Sequence, residues 1–169
     1  EQWSDFYNHR QLLNIGRLLR SVEKVSNVNN RELLLLCLSN SLPTNNMMTG
    51  YDHSYNKIQH LFKSNSFDPP QAPCEGNLWG SEYGRGTFTS MWDLVSDGVE
   101  YAAEPTERYV SNGNTTETEP FAQPIGKNST VHQGDMRTID AENEYDAVIT
   151  DPPYYDNIIY SEVADYFYV

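Results

Sequence analysis

The stretch YDAVITDPPYYDN, Tyr145 to Asn157, runs from strand character into an acid, two prolines and two tyrosines. Ala147 to Thr150 form a short apolar, β-branched run, the composition of a strand. Asp151 ends it. Pro152 and Pro153 fix φ and lack a backbone N–H, so they hold the chain extended and leave carbonyls free to accept. Tyr154 adds a flat ring with a polar tip. An open parallel sheet binds its ligands outside the carboxyl ends of its strands, which is where Asp151 would stand.

One rigid loop would then present an acceptor carboxylate, an acceptor carbonyl and an aromatic plate. That set suits a planar ring with an exocyclic amino group, such as an adenine or cytosine turned out of its stack. A second Asp-Pro-Pro, at Asp68 to Pro70, serves as an internal control. It follows SNSF, with no strand before it, and leads into Gln71 with no aromatic plate. It reads as a loop turn.

Upstream, STVHQGDM (129–136) is a strand candidate running into Gly134-Asp135, and RTIDAENE (137–144) is a polar connection to the strand candidate YDAVIT. Downstream, IIYSEVADYFYV (158–169) has helical character. Strand, connection, strand and loop are the grammar of a parallel α/β sheet, here only part of one. The first half of the chain is helical. Leu12, Ile15, Leu19 and Val22 share a stripe over about 10–25, RELLLLCLSNSL is apolar on all sides until Pro43, and Met91, Leu94, Val95 and Val99 share a third stripe that ends before Pro105. A short helix is expected at SYNKIQHLF (54–62). Residues 43–87 are otherwise rich in Asn, Ser, Gly, Pro and aromatics, and so irregular a stretch is usually functional or a lid. SNGNTTETEP (111–120) reads as a polar turn or mobile loop. We therefore expect a mainly helical region over 1–110, a polar linker over 111–128, and a partial α/β core, a Rossmann-like sheet of two or three strands, over 129–169.

Composition narrows the classes. The chain has 169 residues, with 24 carboxylates against 11 lysines and arginines, for a net charge of −13. Such a surface works against nonspecific binding to phosphate backbones and suits a high-salt cytoplasm. No apolar run approaches the length of a membrane span, and no signal peptide opens the sequence, so a cytoplasmic protein is expected. Cys37 and Cys74 stand in unrelated contexts and the four histidines lack metal-ligand spacing; reduced structural thiols and no metal site are expected. Arg85, Arg108 and Arg137 read as surface residues before phosphate ligands, and His132 as a packing residue before a base.

TDPPYYDN after YDAVI resembles motif IV of the S-adenosylmethionine-dependent amino-methyltransferases that act on N6 of adenine or N4 of cytosine: Asp, Asn or Ser, two prolines, then Tyr, Phe or Trp. The longer DPPYYDNIIYSEVADYFYV, with RQLL, WGSEYGRGTFTSMWDLV and QGDM upstream, is similar to a narrower group, large prokaryotic adenine-specific DNA methylases with an associated zinc-ribbon region. The resemblance implies that Asp151 and the Pro152 carbonyl accept hydrogen bonds from the target amine. Tyr154 would stack on the extruded base, with Pro153 completing the motif, and Asp135 would contact the adenosine part of S-adenosylmethionine. DNA would be the partner through the full-length protein. The glycine-rich motif that holds the methionine end is not found; WGSEYGRGTF, with Gly80, Gly84 and Gly86, has no apolar strand before it. The chain is therefore expected to be an internal piece of such an enzyme. The competing expectation is a noncatalytic interaction module that carries a vestigial motif.

Overall fold

The computed structural model describes residues 2–80, 85–140, 142, 144–155 and 157–168. These residues mix helices with two-stranded antiparallel sheets. The helices are α1 (His9–Glu23), α2 (Val28–Ser41), α3 (Phe88–Ala103) and α4 (Tyr160–Tyr168). The strands are β1 (Tyr51–Asp52) with β2 (Lys57–Ile58), and β3 (Arg108–Ser111) with β4 (Asn114–Glu117). The chain forms two compact units, one made of Glu1–Asp97 with Asp156–Val169 and the other of Gly98–Tyr155.

In the first unit, α1 starts at a capping box: the Asn8 side chain accepts from Gln11 N and the Gln11 side chain accepts from Asn8 N. Gln11 is then buried, donating onward to the Gly76 carbonyl at 3.4 Å. The inward stripe is therefore Gln11, Ile15, Leu18 and Val22, whereas Leu12 and Leu19 of the expected stripe are exposed. The helix is rotated by about one residue because a capped glutamine satisfies its own polar atoms and can go inside. α2 is capped by Asn27, whose side chain accepts from Asn30 N. It buries Cys37, Leu38 and Ser41 but leaves Leu35 and Leu36 exposed, so its apolar surface is covered on one side only. Phe88, Met91 and Val95 of α3 close the cluster around Cys37, Leu38 and Leu78, while Leu94 is exposed. Both cysteines are free thiols, and burial pushes Cys37 above the usual thiol range.

The irregular tract after α2 is neither a lid nor a surface loop over 43–50. Pro43, Asn45, Asn46 and Thr49 are among the most completely buried side chains. The carbonyl of Gly86 accepts from Thr44 Oγ1 at 2.9 Å and from Asn45 Nδ2 at 2.6 Å, and Asn45 Nδ2 also donates to Ser41 O at 2.6 Å. Backbone bonds reach the same tract from Met47 to Phe6, Leu61 to Pro43 and Cys74 to Thr49. Polar residues fill this interior because each has a partner. The expected helix over 54–62 is absent; Asp52 caps a turn at Ser54 and the chain returns as β2.

A second, aromatic cluster gathers Trp3, Phe6, Phe62, Phe67 and Tyr166, with Trp3 edge-on to Tyr166 at 5.1 Å and Phe6 stacked on Phe67 at 5.0 Å. It holds α4, helical as expected, on the first unit. Trp3 Nε1 donates to Asp165 at 2.7 Å, Phe67 N donates to Glu162 at 2.8 Å, and the Tyr7 and Tyr166 hydroxyls share a short hydrogen bond. Burial raises both tyrosines above the usual phenol range.

In the second unit, the tract expected as a polar turn or mobile loop holds the turn and second strand of the β3–β4 hairpin. Its turn is Asn112-Gly113, with φ of 51° and 78°. Positive φ at both central residues makes the turn that matches strand twist, and Asn-Gly is its strongest sequence signal. The strands expected at 129–136 and 145–150 are not formed among the described residues: Val131, Val148 and Ile149 are 97%, 74% and 95% exposed. A strand exists only as one side of a hydrogen-bonded pair, and these residues are not paired in either two-stranded sheet.

Gly86 has φ +66°, and a Cβ there would fall on the Thr44 hydroxyl. Gly86→Ala is expected to cost the first unit more than about 2 kcal/mol, from left-handed backbone plus overpacking. Asn45→Ala, which leaves buried carbonyls short of a donor, is expected to cost about 1–3 kcal/mol. Urea or thermal unfolding measures both; an unchanged midpoint for either would refute the assignment of this tract as the interior.

Candidate functional site

Asp151, Pro152, Pro153 and Tyr154 lie in the second unit on a segment outside helix and strand, with a turn at Tyr155. The two prolines account for this, because they disfavour helix and supply no N–H for a ladder. Asp151 and both prolines are exposed, Tyr154 is 55% exposed, and Tyr155 stands almost fully in solvent. The carboxylate, the carbonyls and the ring are thus carried on four successive residues, and an approaching planar amine could meet all three. Residues 157–168, read in the sequence as continuous with this motif, belong to the first unit instead.

Asp135 sits at the start of a single 3-10 turn, Met136–Thr138. Its side chain accepts from Arg137 N at 2.9 Å and is gripped by the Arg137 guanidinium, with Nε at 3.0 Å from both carboxylate oxygens. Its carbonyl accepts from Thr138 Oγ1 at 2.7 Å. The guanidinium, followed by the backbone N–H of Arg137, holds the Asp135 carboxyl below the usual carboxylate range. Among the described residues, these bonds of Asp135 all stay within Arg137 and Thr138, and none joins it to Asp151. Arg137, read in the sequence as a surface residue, is the partner that the sequence left unassigned; a basic residue two places after an acid at a turn was the available signal.

Among the described residues of WGSEYGRGTF, Gly80 and Gly86 do not offer a cradle for the methionine end of a cofactor. Gly80 has φ +94° and packs on Thr87 and Thr89, and Gly86 packs on Thr44, so both are filled against from their own unit. Gly84 lies outside the described residues. In the second unit a hollow of about 380 Å³ lies at the foot of the hairpin, lined by Tyr101, Thr106, Glu107, Arg108 and Glu117. It includes neither Asp135 nor the Asp151 segment. Among the described residues no group of three or more His, Cys, Asp or Glu could hold a metal ion, and no helix is long and apolar enough to cross a membrane.

Charge is distributed unevenly. Gly98–Tyr155 carries eleven Asp and Glu against Arg108, Lys127 and Arg137, a net of −8. Such a surface repels a phosphate backbone, so any nucleic acid presented to Asp151 must be held by other groups. No protein-family model, curated protein or solved structure matches the chain.

Removing the guanidinium should release Asp135. In Arg137→Ala the Asp135 carboxyl is expected to titrate at higher pH, back toward the ordinary carboxylate value, as read by side-chain NMR. The interaction holds above the ordinary carboxylate pKa and is lost as pH falls through the lowered one. An identical titration in wild type and variant would refute the pairing.

Proposed function

We propose that the segment around Asp151 is the amine-holding half of a DNA amino-methyltransferase site, with N6 of adenine preferred over N4 of cytosine. The observation that carries this reading is the order and exposure of acceptor carboxylate, Pro-Pro and aromatic ring on four successive residues. The Asp151 carboxylate accepts one amine N–H and the Pro152 carbonyl the other. This keeps the nitrogen lone pair out of ring conjugation and directs it along a single line. Tyr154 stacks on the base, a contact worth about 1–3 kcal/mol. Pro153 prevents the loop from relaxing into helix. The work is positioning and electrostatics rather than strong-base chemistry.

In this reading 129–135 and 145–150 become strands of a Rossmann-like methyltransferase sheet when strand partners are supplied. The exposed β-branched residues Val131, Val148 and Ile149 are in keeping with that requirement. S-adenosylmethionine is the methyl donor implied by the resemblance, and Asp135 is the residue proposed to meet its adenosine part. No step is assigned through the donor, since among the described residues Gly80 and Gly86 are packed against and do not form its cradle. DNA is the proposed partner and the cytoplasm the proposed compartment. The acidity of Gly98–Tyr155 favours a second reading, in which this unit is a noncatalytic interaction module.

Methyl transfer from labelled S-adenosylmethionine to DNA by the full-length protein that contains this chain, with the product nucleoside identified by mass spectrometry, tests the proposal. Asp151→Ala is expected to lower transfer by about 10²-fold or more with the circular dichroism spectrum unchanged, the scale of losing one preorganised electrostatic contact. Full transfer by the variant would overturn the site, and absence of product from the wild type would favour the interaction module.

A further inference from the structure

The chain's cationic charge is concentrated where the methyl-transfer reading makes no use of it. α1 and its cap carry Arg10, Arg17, Arg20 and Lys24 against a single acid, Glu23. Arg10, Asn14, Arg17, Ser21 and Lys24 follow the alternating four- and three-residue spacing that places side chains on one helix face. That stripe is exposed, opposite in function to the buried stripe of Gln11, Ile15, Leu18 and Val22. Across from it runs the segment 75–79, and the two enclose adjoining hollows. One, of about 350 Å³, is lined by Asn14, Arg17, Ser21, Asn77 and Trp79 over Leu18 and Leu78. The other, of about 290 Å³, is lined by Arg10, Gln11, Asn14 and Glu75 to Leu78. They share Asn14, Asn77 and Leu78, so they form one groove along the helix.

Three features of this groove point to one ligand chemistry. Trp79 is 59% exposed although its ring is stacked on the buried Phe88 at 5.9 Å and 17°. A large indole braced from behind and open in front is a stacking plate. Among the described residues that share its hollow, Arg17 has no acid beside it. Among the described lining residues the acid is Glu75, at the far end and engaged by Arg10, whose guanidinium holds the Glu75 carboxyl below its usual range. Asn14 and Asn77 add amides able both to donate and to accept. The local field is set by charges within about 10 Å at 0.1 M salt, so the row on α1 acts despite the net charge of −13.

We propose that the groove between α1 and residues 75–79 binds a single-stranded nucleic-acid segment. One base stacks on Trp79, Arg17 meets an adjoining phosphate, and Arg20 and Lys24 extend the path along the helix. An unpaired strand fits because stacking needs an open base face, which a duplex withholds. This groove lies wholly within the first unit and does not depend on the methyl-transfer reading.

Fluorescence anisotropy of a labelled dodecathymidylate, titrated with the full chain at low salt, tests the proposal. Trp79→Ala is expected to weaken binding about 5- to 150-fold, the range for one stacked base. Trp79→Phe, which keeps both a plate and the Phe88 contact, should stay within a few-fold of wild type. Arg17→Ala is expected to weaken binding and reduce the salt slope by about 0.7, one phosphate contact on a single strand. The same oligonucleotide in duplex form should bind more weakly. No wild-type binding at about 10⁻⁴ M, the weak end of nonspecific association, would overturn the proposal. So would equal binding by wild type, Trp79→Ala and Arg17→Ala. Neither result changes the outcome of the methyl-transfer assay, so the two readings fail separately.

Discussion

The carbonyl of Gly86, buried and held by the Thr44 hydroxyl and the Asn45 amide, is the interaction on which the first unit depends. It ties the entry of α3 to the tract that leaves α2, two segments about forty residues apart in sequence. Both sides are constrained. Gly86 must have no side chain, because Thr44 occupies that space, and Gly76 must have none, because the Thr44 carbonyl lies 2.5 Å from where its Cβ would stand. A long irregular stretch can serve as interior only when its polar groups are paired, and here the asparagines and threonines supply the partners that a helix or sheet would otherwise provide.

The aromatic cluster solves a different problem, that of keeping a short terminal helix in place. α4 has nine residues, too few to be stable alone in water. Tyr166 inserts among Trp3, Phe6, Phe62 and Phe67, and Asp165 and Glu162 accept from Trp3 and from the Phe67 backbone. The helix is therefore maintained by tertiary contacts with the first residues of the chain, and the Asp151 segment before it belongs to a unit with a different composition and few buried side chains.

Charge separates the two units as clearly as packing does. The −8 of Gly98–Tyr155 leaves a net of −5 for the rest, and within that remainder α1 is a basic strip. The two proposals stand on separate surfaces. An exposed acid, two prolines and a tyrosine are suited to grip a base amine, and, independently, a cationic groove with an indole is suited to hold an unpaired strand. Gripping an amine needs acceptors and tolerates an acidic setting, whereas holding phosphates does not.

Much was legible from the residues alone. Periodicity located α1 and α3, and apolar, helix-forming composition located α2 and α4, because these patterns and the stops at Pro43 and Pro105 are local properties. Asn112-Gly113 also carried its hairpin in the sequence, although the polar residues around it read as a loop. The acid, prolines and ring of the candidate site were fixed by their order, and proline rigidity made their place outside helix predictable. The choice of Gln11 over Leu12 for the interior was decided by the fold, since it rests on a carbonyl 65 residues away. So were the burial of 43–50, which required Gly86 to arrive beside it, and the braced exposure of Trp79, which required Phe88. The β-branched runs at 129–136 and 145–150 show the limit most directly: side-chain chemistry gives a segment the capacity to be a strand, but only a neighbouring edge with free N–H and C=O groups makes it one.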